Sequence, residues 1–226
     1  RPLMLVMLVG LIGALIDLPL SWYRQFRLEE RFGFNRMSPR LWLSDLFKGF
    51  LVSLALGLPL LAAVLALMRS AGSNWWLWVW LLWVGFNLAV LILYPTVIAP
   101  LFNKFEPMPA GPIRERVEAL LTRCGFTSSG LFVMDGSRRS AHGNAYFTGL
   151  GKAKRIVFFD TLLNRLNGEE IEAVLAHELG HFRRRHIAKR MVATFLLSAA
   201  GLWLLAWLAR QAWFFQGLGV TPSADT

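Results

Sequence analysis

His177, Glu178 and His181 stand in the run His177-Glu178-Leu179-Gly180-His181. Residues four apart on a helix share a face, so both imidazoles can reach one metal ion. Glu178 lies about 100° around the helix from His177, which sets its carboxylate beside the ion, able to take a proton from a water that the ion activates. The chemistry of that pattern is zinc-assisted hydrolysis of a peptide bond, with one Zn2+ per chain. The plainer alternative is a pair of surface histidines on an amphipathic helix.

Such a trio needs a helix that starts upstream and buries its other side. Asn167-Gly168-Glu169-Glu170 offers a capping-box start, an Asn followed three residues later by an acid. Ile171, Val174 and Leu175 follow at helical spacing. Farther upstream, Ile113 to Cys124 reads as an amphipathic helix, and Gly130 to Met134 as a strand entering an Asp135-Gly136 turn. Asn144 to Thr148 and Arg155 to Phe159 are β-prone runs, joined as a hairpin by Gly149-Leu150-Gly151-Lys152. Pro95, Pro100, Pro107, Pro109 and Pro112 mark an extended linker into this α+β unit.

The remainder is built for lipid. The 226 residues are 55% hydrophobic with a mean hydropathy of +0.47, too apolar for an ordinary soluble domain. Four segments are long enough to span a bilayer: Leu3 to Trp22, Gly49 to Met68, Trp75 to Val97 and Met191 to Ala209. Trp75, Trp76, Trp78, Trp80 and Trp83 crowd the start of the third, as expected at a lipid–water boundary. Asp17, close to Pro19, reads as an acid at headgroup level rather than an intramembrane functional group.

The net charge of +10 is uneven. Arg24, Arg27, Arg31, Arg36, Arg40 and Lys48 follow the first span, and Arg183, Arg184, Arg185, Lys189 and Arg190 abut the fourth. Two crossings separate the basic loop from the α+β unit, so both lie on one side, which the positive-inside rule makes cytoplasmic. Topology and anionic lipid account for the charge, and no nucleic-acid-binding motif accompanies it. Cys124, the single cysteine, excludes an intrachain disulfide and a thiolate metal cluster. Arg1 ahead of a long span without a small-residue cleavage site reads as a trimmed start rather than a cleaved signal peptide.

Ser140-Ala141-His142-Gly143-Asn144-Ala145-Tyr146-Phe147, then Arg155 to Leu163, then His177 to His181, resemble the type I CAAX prenyl protease family of integral-membrane zinc endopeptidases. Glu29-Glu30-Arg31-Phe32-Gly33-Phe34-Asn35 is similar to that family's first basic loop, and Ile98 to Phe105 to its entry into the peptidase domain. The resemblance implies that His177 and His181 bind zinc and Glu178 is catalytic. It further implies that Asn144 and Ala145 belong to an edge strand that pairs with an extended substrate. His142, on the loop before that strand, is a candidate for a substrate or metal role. The family's third zinc ligand is a later glutamate. No Glu follows Glu178 here, so that ligand is expected beyond residue 226 and the chain is expected to be the N-terminal portion of a longer enzyme. His186, five residues after His181, is about 140° off the ligand face and reads as a solvated histidine.

The expected fold is an α-helical polytopic membrane protein with an inserted small α+β zincin-type metallopeptidase domain. Residues 1–97 form a membrane region with three spans and a basic loop, 98–190 the metallopeptidase domain, and 191–226 the fourth span with a truncated C-terminal extension. The expected partners are the lipid bilayer and a peptide or protein substrate, either a prenylated CAAX C-terminus or a membrane or misfolded protein. The expected location is the bacterial inner membrane, or the endoplasmic reticulum membrane if the source is eukaryotic. A non-catalytic scaffold or metal-binding module on the same fold is the competing reading.

Overall fold

A computed structural model describes residues 2–126, 130–148, 155–183 and 186–219, with backbone alone at 181–183 and 187. The hairpin turn expected at Gly149-Lys152, and Arg184, Arg185 and Asp225, lie outside the described residues.

Four helical stretches reach spanning length: Pro2–Arg31, Pro39–Ser70, Gly72–Phe102 and Ala188–Leu208. The first comprises α1 (Pro2–Tyr23), a wide π turn (Arg24–Leu28) and α2 (Glu29–Arg31). The second is α3 (Pro39–Ser70); Ser38 Oγ caps it by accepting the Leu41 N–H at 3.2 Å, and Pro39 takes an early position that needs no donor. α4 (Trp75–Leu93) packs against α3 on one side and α9 (His186–Leu208) on the other. Trp80 Nε1 donates to the Phe195 carbonyl of α9 at 2.9 Å. Leu5, Ile16, Leu51, Leu196 and Leu197 point outward and are exposed, a surface stable in hydrocarbon and not in water.

The linker expected from Pro95 onward is instead helical as far as Phe102. α4 continues through a π turn (Tyr94–Ile98) into α5 (Ala99–Phe102). Pro95 and Pro100 lie inside this continuous stretch, where the wide π turn accommodates the loss of backbone N–H groups. A strand follows, β1 (Phe105–Pro107), hidden in sequence by its proline and tolerated because it lies at a sheet edge. α6 (Pro112–Arg123) and β2 (Gly130–Met134) come next, then a single 3-10 turn (Gly136–Arg138) where the Asp135-Gly136 turn was expected. β3 (Ala145–Thr148) and β4 (Arg155–Phe159) pair antiparallel as the hairpin reading requires. α7 (Asp160–Leu163) and α8 (Gly168–Arg183) complete the unit, and α10 (Ala212–Gly217) follows α9.

The sheet order is β1-β2-β4-β3, with β2 and β4 parallel and the outer pairs antiparallel. Alternation sorts its two faces. Leu131, Ala145, Ile156 and Phe158 join Val117, Leu120 and Leu121 of α6 and Ile171, Leu175 and Leu179 of α8 in one apolar core. Phe132, Tyr146 and Val157 take the opposite face, toward Pro95, Thr96 and Pro100.

Candidate active site

α8 begins as its sequence dictates. Asn167 Oδ1 accepts the N–H groups of Glu169 and Glu170 at 3.0 Å each, and Glu170 Oε2 accepts the Asn167 N–H at 2.8 Å. From that start, Ile171, Leu175 and Leu179 recur every four residues and are buried under the sheet. Helical geometry then puts positions 177 and 181 on the far side, about 160° and 120° from the centre of the buried stripe, with 178 at about 60°, on the shoulder between the histidine face and the stripe. The burial agrees: His177 is exposed and Glu178 half-buried. The backbone of α8 therefore carries both histidine positions on one open face, with the glutamate tucked toward the sheet.

α8 also packs against β3, which has no strand on its outer side among the described residues. The Phe159 N–H donates to the Asn144 carbonyl at 2.9 Å, making Asn144 and Phe159 a hydrogen-bonded pair. Alternation along an antiparallel ladder then turns the N–H and C=O of Ala145 and Phe147 away from β4, to the open edge. The Ala145 side chain is buried in the core, so its contribution to that edge is backbone alone. Asn144 stands just ahead of β3, its Oδ1 accepting the Ala145 N–H at 2.8 Å.

His142 is held elsewhere. Its ring stacks on Phe34 at 4.0 Å between centroids, and its Nε2 lies 3.2 Å from Glu29 Oε2. These partners lie at the end of the first helical stretch and just beyond it, so that region and the α+β unit share one side of the membrane helices. At the opposite end, Arg210 Nη2 donates to the Ser73 carbonyl at 2.8 Å.

Two cavities, of about 130 and 420 Å³, lie on the sheet face turned away from α8. Tyr146 lines both, with Arg155 in the smaller and Tyr94 and Arg139 in the larger. Burial first, and the Tyr94 phenol second, push the Tyr146 hydroxyl up to about 12. Neither cavity is lined by His177 or Glu178.

For a zinc ion the donor chemistry on α8 fits in part. Two imidazole positions one turn apart match a catalytic zinc's preference for nitrogen donors, and a third protein ligand is required. Among the described residues no three His, Cys, Asp or Glu side chains cluster to hold a metal. Residues that sequence reasoning overlooked are Arg139 and Asp45, which pair across the junction of membrane region and sheet. The available signal was Asp45 itself, an acid near the start of an otherwise apolar span.

Residues 107–221 match the profile of peptidase family M48, and the chain belongs to that family. Residues 1–104 match the profile described as CAAX prenyl protease N-terminal, five membrane helices; with four helices of spanning length among the described residues, the chain is a multi-pass integral membrane protein. It is 39% identical over 215 residues to CAAX prenyl protease 1 of Saccharomyces cerevisiae, covering 94% of this chain and 47% of that protein. A CAAX prenyl protease 1 homolog of Dictyostelium discoideum is 39% identical over 217 residues, covering 95% of this chain and 51% of the other. The crystal structure of S. mikatae Ste24p superposes with a TM-score of 0.90 at 36% identity, covering 99% of this chain and 53% of that one. The chain spans about half the length of these relatives.

Proposed function

We propose that this chain carries the zinc-binding helix and substrate strand of a membrane-embedded metalloendopeptidase. The observation behind the proposal is the two-sided build of α8. It buries Ile171, Leu175 and Leu179 under the sheet and turns the His177 and His181 positions to the open side, next to an edge strand able to pair with a peptide.

In this reading His177 and His181 hold zinc, with a third ligand from outside the described residues. When bound, the ion supplies a Lewis acid that acidifies water and polarises the scissile carbonyl. Glu178, half-buried beside the histidine face, takes the proton of the attacking water and returns it to the leaving amine. The outward backbone edge of β3 at Ala145 holds the substrate backbone extended. The similarity to proteins named CAAX prenyl protease favours a C-terminal CAAX peptide over a misfolded membrane protein. The basic residues around the first loop support a cytoplasmic location for this side of the molecule.

The test is cleavage by the full-length protein in detergent, native against Glu178→Gln, on a farnesylated CAAX peptide and on an unfolded, unprenylated protein. Glu178→Gln is expected to keep its zinc and lose cleavage by at least about a hundredfold. Equal cleavage by both proteins would refute the assignment, and cleavage by neither would favour the non-catalytic scaffold. The preferred substrate separates CAAX processing from quality control.

A further inference from the structure

The chain leading into β3 is fastened to the membrane region at every residue from Arg139 to His142. The Arg139 guanidinium grips Asp45 of α3 with two prongs, Nε to Oδ2 at 2.8 Å and Nη2 to Oδ1 at 3.0 Å. Its Nη1 donates to Asn103 Oδ1 at 2.8 Å, and Nη2 also donates to the Phe102 carbonyl at the end of α5. The pair is sheltered, with 19% of the arginine and 16% of the aspartate side chain exposed. A planar fork bound on both sides fixes direction as well as distance.

The backbone continues the attachment. The Arg36 N–H donates to the Arg139 carbonyl at 3.2 Å, Asn35 and Ser140 form an antiparallel bridge, and the Ala141 N–H donates to the Phe34 carbonyl at 2.9 Å. His142 then lies on Phe34, and its carbonyl accepts from Thr161 Oγ1 at 2.8 Å. Two residues later the chain reaches Asn144 and the open edge.

The two halves of the site are thus positioned from different directions. α8 is set by the apolar core on one face of the sheet. Ala145 of β3 shares that core, but the entry to β3 is set by α3, the end of α5 and the loop residues Phe34 to Arg36. We infer that Arg139 and Asp45 are positioning residues that use the second membrane helix as the reference for the substrate-pairing edge of β3. The inference deepens the proposed function and rests on it, because β3 must be the strand that takes the substrate. Neither residue touches reacting atoms.

Hydrogen exchange on the detergent-solubilised full-length protein tests the positioning directly, comparing native, Arg139→Ala, Arg139→Lys and Asp45→Asn. In Arg139→Ala the amides of 143–148 are expected to exchange about tenfold faster, while those of 169–179 and the bound zinc stay as in the native protein. Arg139→Lys, which keeps the charge but not the fork, is expected to fall between. For an unstructured peptide substrate, kcat/KM of Arg139→Ala is expected to fall about tenfold, most of it in KM.

Native exchange over 143–148 in Arg139→Ala would overturn the inference. Equal loosening of 169–179 would overturn it too, by showing general destabilisation, as would an unchanged KM beside faster exchange. Failure of the underlying reading is visible separately, as cleavage by Glu178→Gln at the native rate whatever the exchange pattern.

Discussion

Asn144 Oδ1 accepts the N–H of its neighbour Ala145 at 2.8 Å, so the outward-facing donor at the head of β3 is held by the side chain beside it. A peptide laid along this edge meets the outward-facing Ala145 C=O and must compete with Asn144 for the Ala145 N–H. The structural role of Asn144 and the substrate-facing role proposed for it can be separated by substitution.

Asn144→Asp keeps an acceptor for the Ala145 N–H and removes the amide donor; Asn144→Ala removes both. The aspartate variant is expected to melt within about 2 °C of native, while its kcat/KM falls about tenfold. The alanine variant should in addition lose about 1 kcal/mol of stability. Thermal melts alongside peptide cleavage check both, and native kcat/KM in Asn144→Asp would remove the residue from the substrate site.

Leu175 and His177 are two residues apart on α8 and face opposite ways. Leu175→Ala opens a cavity in the core and is expected to cost about 2–5 kcal/mol. His177→Ala should cost the zinc-free protein much less than Leu175→Ala does and abolish stoichiometric zinc binding. Denaturation of the chelated proteins and metal analysis of the loaded ones give the contrast. Unaltered zinc content in His177→Ala would displace the site from this helix.

The Tyr146 phenol makes a prediction about alkaline stability. A tyrosine in an unfolded chain ionises near 10, whereas burial and Tyr94 push Tyr146 up to about 12. Folding then holds the proton more tightly than the unfolded chain does. The contribution is intact below about pH 10 and is lost as pH rises toward 12. Tyr146→Phe should flatten the alkaline limb of the stability curve between those values. Unfolding followed from pH 9 to 12 tests it, and a limb identical to native would mean that the phenol is solvated.

The start of α8 gives a fourth. Asn167→Ala removes the acceptor for two N–H groups and is expected to cost about 1 kcal/mol, whereas Asn167→Asp should be near neutral. Equal melting temperatures for native and Asn167→Ala would show the cap to be dispensable.

What sequence made legible was whatever is local. The Asn167–Glu170 cap, the buried stripe of α8, the amphipathic α6 and the four spans are each encoded within a few turns of chain, and the structure has them. β1 was not legible, because three residues containing Pro107 carry no period of their own and become a strand only beside β2. The helical course through Pro95 and Pro100 was misread because proline usually ends a helix, and the π turn that accommodates it leaves no sequence mark. The Arg139–Asp45 pair, 94 residues apart, was beyond any local pattern. The H-E-x-x-H face was readable from spacing alone. The edge position of β3 depends on strand order, which only the assembled sheet reveals.

The reciprocal cap at Asn167 and Glu170 has one more consequence, for how this segment can vary. With its first turn pinned and its apolar stripe seated under the sheet, the helix has no freedom to spin. Inserting or deleting one residue between Glu170 and His177 would turn Leu179 and the histidine pair together by about 100° relative to the cap and Ile171, so the stripe could no longer be buried along its whole length with the histidines in place. The exposed side chains along this stretch can be exchanged one at a time at modest expense, but the number of residues in it cannot change. The interval between cap and first histidine is a fixed length of chain, and it acts as the protractor that aims the site.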